Sequence, residues 1–297
     1  GSNGVDATLE EDMTVNLNDL TAAQAQAITI VHSTSDNNGV TDNILNVNLK
    51  NATGANDTVA VTLEDDVNAD PRFNFTLSTP NVENVTIHDN DTESNTIALE
   101  DVADITGTLT LTGGGSFMNL DTTTAGGNGG LYQYNVDGYG DAPGTAAANG
   151  QIFDWSHQAN QVRVVAQTID ASTSTADVVV RVSNAALEEN GGQLITMGLG
   201  NDTVIFDALD EVDAGLTVRD TVIGGEGTDT LVIDGELLND DVIHVGPSET
   251  LHVEGFENLR FVDGSSYELV LSNNLIDNNQ DANGYLNIIN DHDPVND

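Results

Sequence analysis

The sequence predicts an all-β chain: a parallel β-solenoid or β-roll in the second half, and a β-rich first half, solenoid or sandwich-like. Three observations predict it. Short runs rich in Val, Ile, Leu and Thr recur along the 297 residues, and alternating segments of this kind suit a pleated, half-buried surface. Clusters of Asp, Asn and Gly separate the runs, and these residues form turns. Residues 197–232 also fall into a nine-residue register, which favours stacked rungs.

In the first half the runs are Ile28–Val31, Ile44–Leu49, Thr58–Leu63, Phe73–Leu77, Val82–Ile87, Thr96–Leu99 and Thr108–Thr112. The second half adds Gln161–Val165, Val178–Val182, Leu194–Met197, Thr203–Phe206, Thr221–Ile223 and Thr230–Ile233. Thr250–Val253, Asn258–Val262 and Glu268–Leu271 complete the series. Helical signals are weak. Leu17–Ala27 is the best, with Asn18 or Asp19 as its cap, while Ala185–Glu189 and Asp234–Asp240 read as single turns.

The organisation reads as an N-terminal β module (1–112), a Gly/Ala/Asn-rich loop or linker (113–151) and a C-terminal β module (152–297). Tyr132, Tyr134, Tyr139 and Trp155 sit in or beside the linker. They either pin a long loop or form a sugar-binding face. A long-range echo joins the two modules: DTVAV at 57–61 resembles DTLVI at 229–233, and VENVTIHD at 82–89 resembles FENLRFVD at 256–263. It suggests two related β modules.

Charge excludes several partners. Forty-nine acidic residues face six basic ones, a formal net charge of −43, and Lys50 is the single lysine. Nucleic acid and anionic membranes both need clustered Lys and Arg, which this chain lacks. Such a balance repels itself in a compact state. Divalent cations or high salt are the physical remedies. There is no cysteine, hence no disulfide and no thiolate metal site. No apolar run reaches the roughly 18 residues a membrane helix needs, so no membrane insertion is expected. Gly1-Ser2 reads as a cloning remnant. The chain is therefore expected to be a piece of a longer one, with any export signal outside it.

The most specific pattern lies in 197–233. Blocks of nine begin at Met197, Phe206, Gly215 and Gly224, and the sixth position runs Asp202, Glu211, Asp220, Asp229. The last block, Gly224-Gly225-Glu226-Gly227-Thr228-Asp229-Thr230-Leu231-Val232, fits G-G-x-G-x-D-x-U-x throughout. The first keeps Gly198, Gly200 and Asp202. In such a repeat glycines permit a tight turn whose carbonyls can face a hard cation, and the aspartate adds a charged oxygen.

This stretch resembles the RTX family of calcium-binding bacterial proteins exported by type I secretion. The resemblance covers about one eighth of the chain and implies Ca2+ as the bound ion. It also implies two nonapeptides per turn, which would put Asp202 on one side with Asp220, and Glu211 with Asp229. Blocks two and three lack the Gly-x-Gly turn, so one or two sites are expected rather than an array. The candidate calcium ligands here are Gly198, Gly200, Asp202, Glu211, Asp220, Gly225, Gly227 and Asp229. A second oxygen-rich group is Asp277, Asn279 and Asp281, an alternating pattern followed by Asn283-Gly284. It lacks the glutamate that would close an EF-hand-like loop, because position 290 is Asn.

Catalytic patterns are absent. The six histidines show no HExxH spacing, and there is no GxSxG or P-loop. A non-enzymatic role is expected. The Thr/Asn/Asp-rich strands, the echo and the RTX resemblance together point to an extracellular, calcium-stabilised structural or self-assembly protein of the bacterial cell surface. A surface-layer-like lattice or an adhesin segment would fit, with calcium, self-association, and other surface components or glycans as partners. The alternatives are a carbohydrate-binding module and a secreted β-solenoid polysaccharide lyase or epimerase. Six scattered basic residues suit a sugar-acid groove poorly.

Overall fold

The computed structural model describes residues 4–9, 13–32, 43–65, 74–90, 94–99, 105–114, 116–119, 133–134, 152–153, 166–182, 192–207, 215–234, 242–262 and 266–290. The first elements are β1 (Val5–Leu9), β2 (Thr14–Leu20), α1 (Ala22–Ala25), β3 (Ile28–His32), β4 (Asn43–Leu49) and β5 (Thr58–Asp65). They are followed by β6 (Asn74–Ser78), β7 (Asn84–Asp89), β8 (Ser94–Leu99), β9 (Thr108–Gly113), β10 (Ser116–Asn119), β11 (Gln133–Tyr134) and β12 (Ile152–Phe153). Next come β13 (Thr168–Asp170), β14 (Val178–Val182), β15 (Leu194–Thr196), β16 (Thr203–Asp207), β17 (Thr221–Ile223) and β18 (Thr230–Asp234). The last are β19 (Val242–Val245), β20 (Val253–Glu254), β21 (Asn258–Val262), β22 (Ser266–Leu269), α2 (Asn273–Asn278) and β23 (Asn287–Asn290).

These strands build a parallel β-solenoid. One sheet has nine strands in the order β1-β3-β5-β7-β9-β13-β15-β17-β20. The other has ten, in the order β2-β4-β6-β8-β10-β14-β16-β18-β21-β23. The chain alternates between them, so each circuit adds one rung to each sheet. Of the two architectures left open for the first half, the solenoid is the one found: β1 to β9 lie in the same two sheets as the rest. Two small sheets stand apart, β19 with β22 in parallel and β11 with β12 antiparallel.

Alternation places apolar residues inward. Val59, Val85, Leu109, Ile169, Ile195, Val222 and Val253 stack rung upon rung in the nine-stranded sheet and are all buried. Val180, Val204, Leu231 and Leu259 do the same opposite them. Each column buries a continuous apolar stripe that no rung could bury alone.

Some expectations shift. Leu17–Leu20 belongs to β2, not to a helix, and Asp19 adopts a φ of +58°. The helix starts later because Thr21 caps it. Thr21 Oγ1 accepts the Gln24 amide at 3.4 Å, while Gln24 Oε1 accepts the Thr21 amide at 3.1 Å. Within the expected linker, Ser116–Asn119 is a strand of the ten-stranded sheet and Tyr134 belongs to β11. Gln161–Val165, Ala185–Glu189, Tyr132, Tyr139 and Trp155 lie outside the described residues. Among the described residues no helix is long and apolar enough to cross a membrane.

Candidate functional site

The candidate site is the corner where the chain enters the ten-stranded sheet. There the turn 197–202 lies against the turn 224–229. Thr203 pairs with Thr230, and Ile195 with Val222, so one circuit here is 27 residues. That is three blocks of nine rather than two, which corrects the pairing implied by the resemblance. Asp202 stacks with Asp229 at the head of β16 and β18. Asp220 heads β17 in the other sheet and does not share a side with Asp202. Glu211 lies outside the described residues.

The glycines are explained by the stacking. Gly225 and Gly227 have φ values of +104° and +135°. A Cβ on Gly227 would lie 1.9 Å from the Gly200 carbonyl oxygen, and one on Gly225 2.2 Å from that of Gly198. Only hydrogen fits between turns this close.

The acids form a ladder of clamps between rungs. Asp202 accepts the Val178 amide at 2.7 Å through one oxygen and the Gly198 amide at 3.0 Å through the other. Asp229 Oδ1 accepts the Asp202 amide at 2.7 Å, and Glu257 accepts the Asp229 amide at 2.8 Å. A parallel line runs beside it: Asp177 accepts the Asn201 amide at 2.7 Å, and Asn201 accepts the Thr228 amide at 3.0 Å. In the other sheet Asp220 takes the Gln193 amide at 2.7 Å and holds its own turn through the Thr217 amide and hydroxyl.

One oxygen in this corner has no partner. Asp229 Oδ2 is buried and unbonded, in a residue only 1% exposed. Its counterpart in Asp202 is bonded by Gly198, but the left-handed Gly225 offers Asp229 no equivalent amide. Burial pushes the Asp229 carboxyl from 3.8 up to about 7. The Asp202 amide opposes this, while the charges of Asp202, Glu257 and Asp177 add to it. Burial likewise raises Asp202 to about 6, against the pull of the Val178 and Gly198 amides.

The second group does not converge. Asn279 is buried, and its side chain fastens α2 to the stack. It accepts the Phe256 amide at 2.9 Å and donates to the Val253 and Leu275 carbonyls at 3.0 and 2.8 Å. Asp281 closes its own turn by accepting the Asn283 and Tyr285 amides at 2.9 and 2.8 Å. Those bonds, the Tyr285 amide foremost, hold its carboxyl below the usual range. Asp277 is exposed on α2. Among the described residues no three His, Asp or Glu side chains form a ready-made metal cluster.

Sequence reasoning noticed the Glu-Asn echo but not its role. Glu83 accepts the Asp57 amide at 2.8 Å and Asn84 Nδ2 donates to the Asp57 carbonyl at 3.3 Å. Glu257 and Asn258 treat Asp229 identically, at 2.8 and 3.3 Å. The copies sit in opposite sheets, β5/β7 and β18/β21. The echo is thus a two-rung clamp that serves either side of the solenoid. Asp177 carried no signal beyond being one of many acids.

No protein-family model, no curated protein and no solved structure matches the chain, so the fold and the corner's geometry stand as the findings on which a function is argued.

Proposed function

We propose that the chain is a calcium-stabilised structural segment of an extracellular, cell-surface protein. The observation that carries this is the unbonded, buried Oδ2 of Asp229. It lies in a corner where Asp202, Glu257 and Asp177 all contribute negative charge. A buried carboxylate oxygen in that setting needs a proton or a cation. Calcium fits the donor chemistry, because carboxylate and turn carbonyl oxygens are hard ligands. A net charge of −43 supplies a second motive for binding it. The rungs form a parallel β-solenoid, an architecture that suits a scaffold.

Calcium bound to the folded chain alone stabilises it by mass action, about 2.7 kcal/mol at a hundredfold excess over Kd. Export in low calcium and folding in high calcium would follow. Thermal melts in EDTA and in millimolar Ca2+ test the proposal. Wild type is expected to melt higher in calcium, and Asp229→Ala to lose more of that gain than Asp277→Ala. Identical wild-type melts in both solvents would overturn it.

A further inference from the structure

We propose that the cation binds on the C-terminal side of the 224–229 turn, between Asp229 Oδ2, the Gly255 carbonyl and the Glu257 carboxylate. The inference rests on the calcium reading above. It deepens that reading by naming the ligands, two of which lie outside the nine-residue repeats.

The repeat pattern would place an ion between the turns 197–202 and 224–229. There, however, Asp202 accepts the Val178 amide through one oxygen and the Gly198 amide through the other. The Gly198 carbonyl accepts the Glu226 amide at 2.8 Å. Asn201 Oδ1 accepts the Thr228 amide, and Asp229 Oδ1 the Asp202 amide. The Gly200 carbonyl lies against Gly227, where a Cβ would approach it to 1.9 Å. A cation in that interface would break bonds that hold the two turns together.

The next interface differs. Asn258 pairs with Thr230, which sets Glu257 beside Asp229. Glu254 pairs with Ile223, which sets Gly255 beside Gly224. A Cβ on Gly224 would lie 2.7 Å from Asp229 Oδ2 and 2.0 Å from the Gly255 carbonyl oxygen. Both oxygens therefore face one point. A separation bounded by those two distances is within what a single Ca2+ spans at roughly 2.3–2.6 Å from each ligand. Asp229 Oδ2 is buried and unbonded, so no hydrogen bond is lost when it meets an ion.

Glu257 adds the second charge. Its Oε2 accepts the Asp229 amide at 2.8 Å, which holds the carboxylate against the turn. The segment 255–257 is itself fixed: the Gly255 amide donates to the Asn278 carbonyl at 3.0 Å and the Phe256 amide to Asn279 Oδ1 at 2.9 Å. Gly255 has a φ of +77°, a conformation that favours glycine. Two carboxylates and one carbonyl leave about three positions of the calcium shell to water. Residues 225–228 are exposed and open the corner to solvent.

Calorimetric titration with Ca2+ at pH 8 tests this on wild type, Glu257→Gln and Asp177→Asn, with circular dichroism checking that each folds. Glutamine can still accept the Asp229 amide, so Glu257→Gln keeps the clamp and loses the charge. It should bind calcium at least about tenfold more weakly. Asp177 bonds the Asn201 amide on the other side of the turn. Its variant should change the affinity by no more than about twofold, because salt screens an exposed charge. Amide NMR shifts during the wild-type titration need no variant, and they should be largest at Gly224, Gly255 and Glu257. Wild-type affinity in Glu257→Gln, an equal loss in Asp177→Asn, or shifts centred on 198–202 would each overturn this placement and leave the calcium reading standing. Wild type that takes up no calcium overturns both.

Discussion

Gly227 and Asp229 belong to one turn and constrain it in opposite ways. A methyl group on Gly227 would strike the Gly200 carbonyl, and the residue's φ is unfavourable for any side chain. Gly227→Ala should cost about 2–4 kcal/mol, strain and clash together, read from denaturant unfolding. For Asp229 the folded carboxyl titrates at about 7 against 3.8. The folded state then holds the proton more tightly than the unfolded one, so stability falls as pH rises from about 4 to about 7. Asp202, raised to about 6, adds to the same fall within that window. In EDTA and high NaCl, where net charge is screened, Asp229→Asn should flatten this dependence and be more stable than wild type at pH 8. A variant with the wild-type slope would show that Asp229 is not its source. On the calcium reading proposed above, the ion would have to displace that proton, so its stabilising effect should shrink from pH 8 to pH 5, as paired melts would read.

At the scale of elements, α2 and the clamped strands show how side-chain amides replace missing backbone pairing. Among the described residues β20 is the last strand of its sheet; α2 packs beside it, held by Asn279 and the buried Leu275. Asn279→Ala strands the Phe256 amide and the Val253 carbonyl and should cost about 1–3 kcal/mol. Hydrogen exchange is the direct measurement, with protection lost first at Gly255 and Phe256 and retained at β14–β16. The strands themselves were legible as alternating Val, Ile, Leu and Thr. The helix expected within 17–27 is present at Ala22–Ala25, but its start was not legible, because LNDL reads equally as helix or strand until β4 pairs with it. Asn18 and Asp19 look like caps, but Thr21 takes that role once Gln24 can return the bond.

For the whole molecule, charge and repetition oppose one another. Stacking brings like rungs together, and with them like charges. Adding NaCl should raise the melting temperature before any specific ion is considered, and a melt insensitive to salt would contradict self-repulsion as a destabilising force. In the first half the sequence left solenoid and sandwich both open because the circuits vary in length. Val5 pairs with Ile28, Ile28 with Val61 and Val61 with Ile87, steps of 23, 33 and 26 residues. Loops absorb these differences while the strands stay in register, so no fixed period survives in the sequence.

By itself the sequence determined the strand content, the inward columns and the acid-rich turn at 197–232, because period-two alternation and glycine punctuation are local properties. Tertiary structure decided how many blocks complete a circuit, and so which aspartates meet. The nine-residue spacing is compatible with two or three blocks per turn. What decides is whether Gly227 can lie on Gly200 while Leu231 packs on Val204, 27 residues away. That contact gives Asp202 the neighbour Asp229 in place of Asp220, and leaves one oxygen of Asp229 buried without a partner.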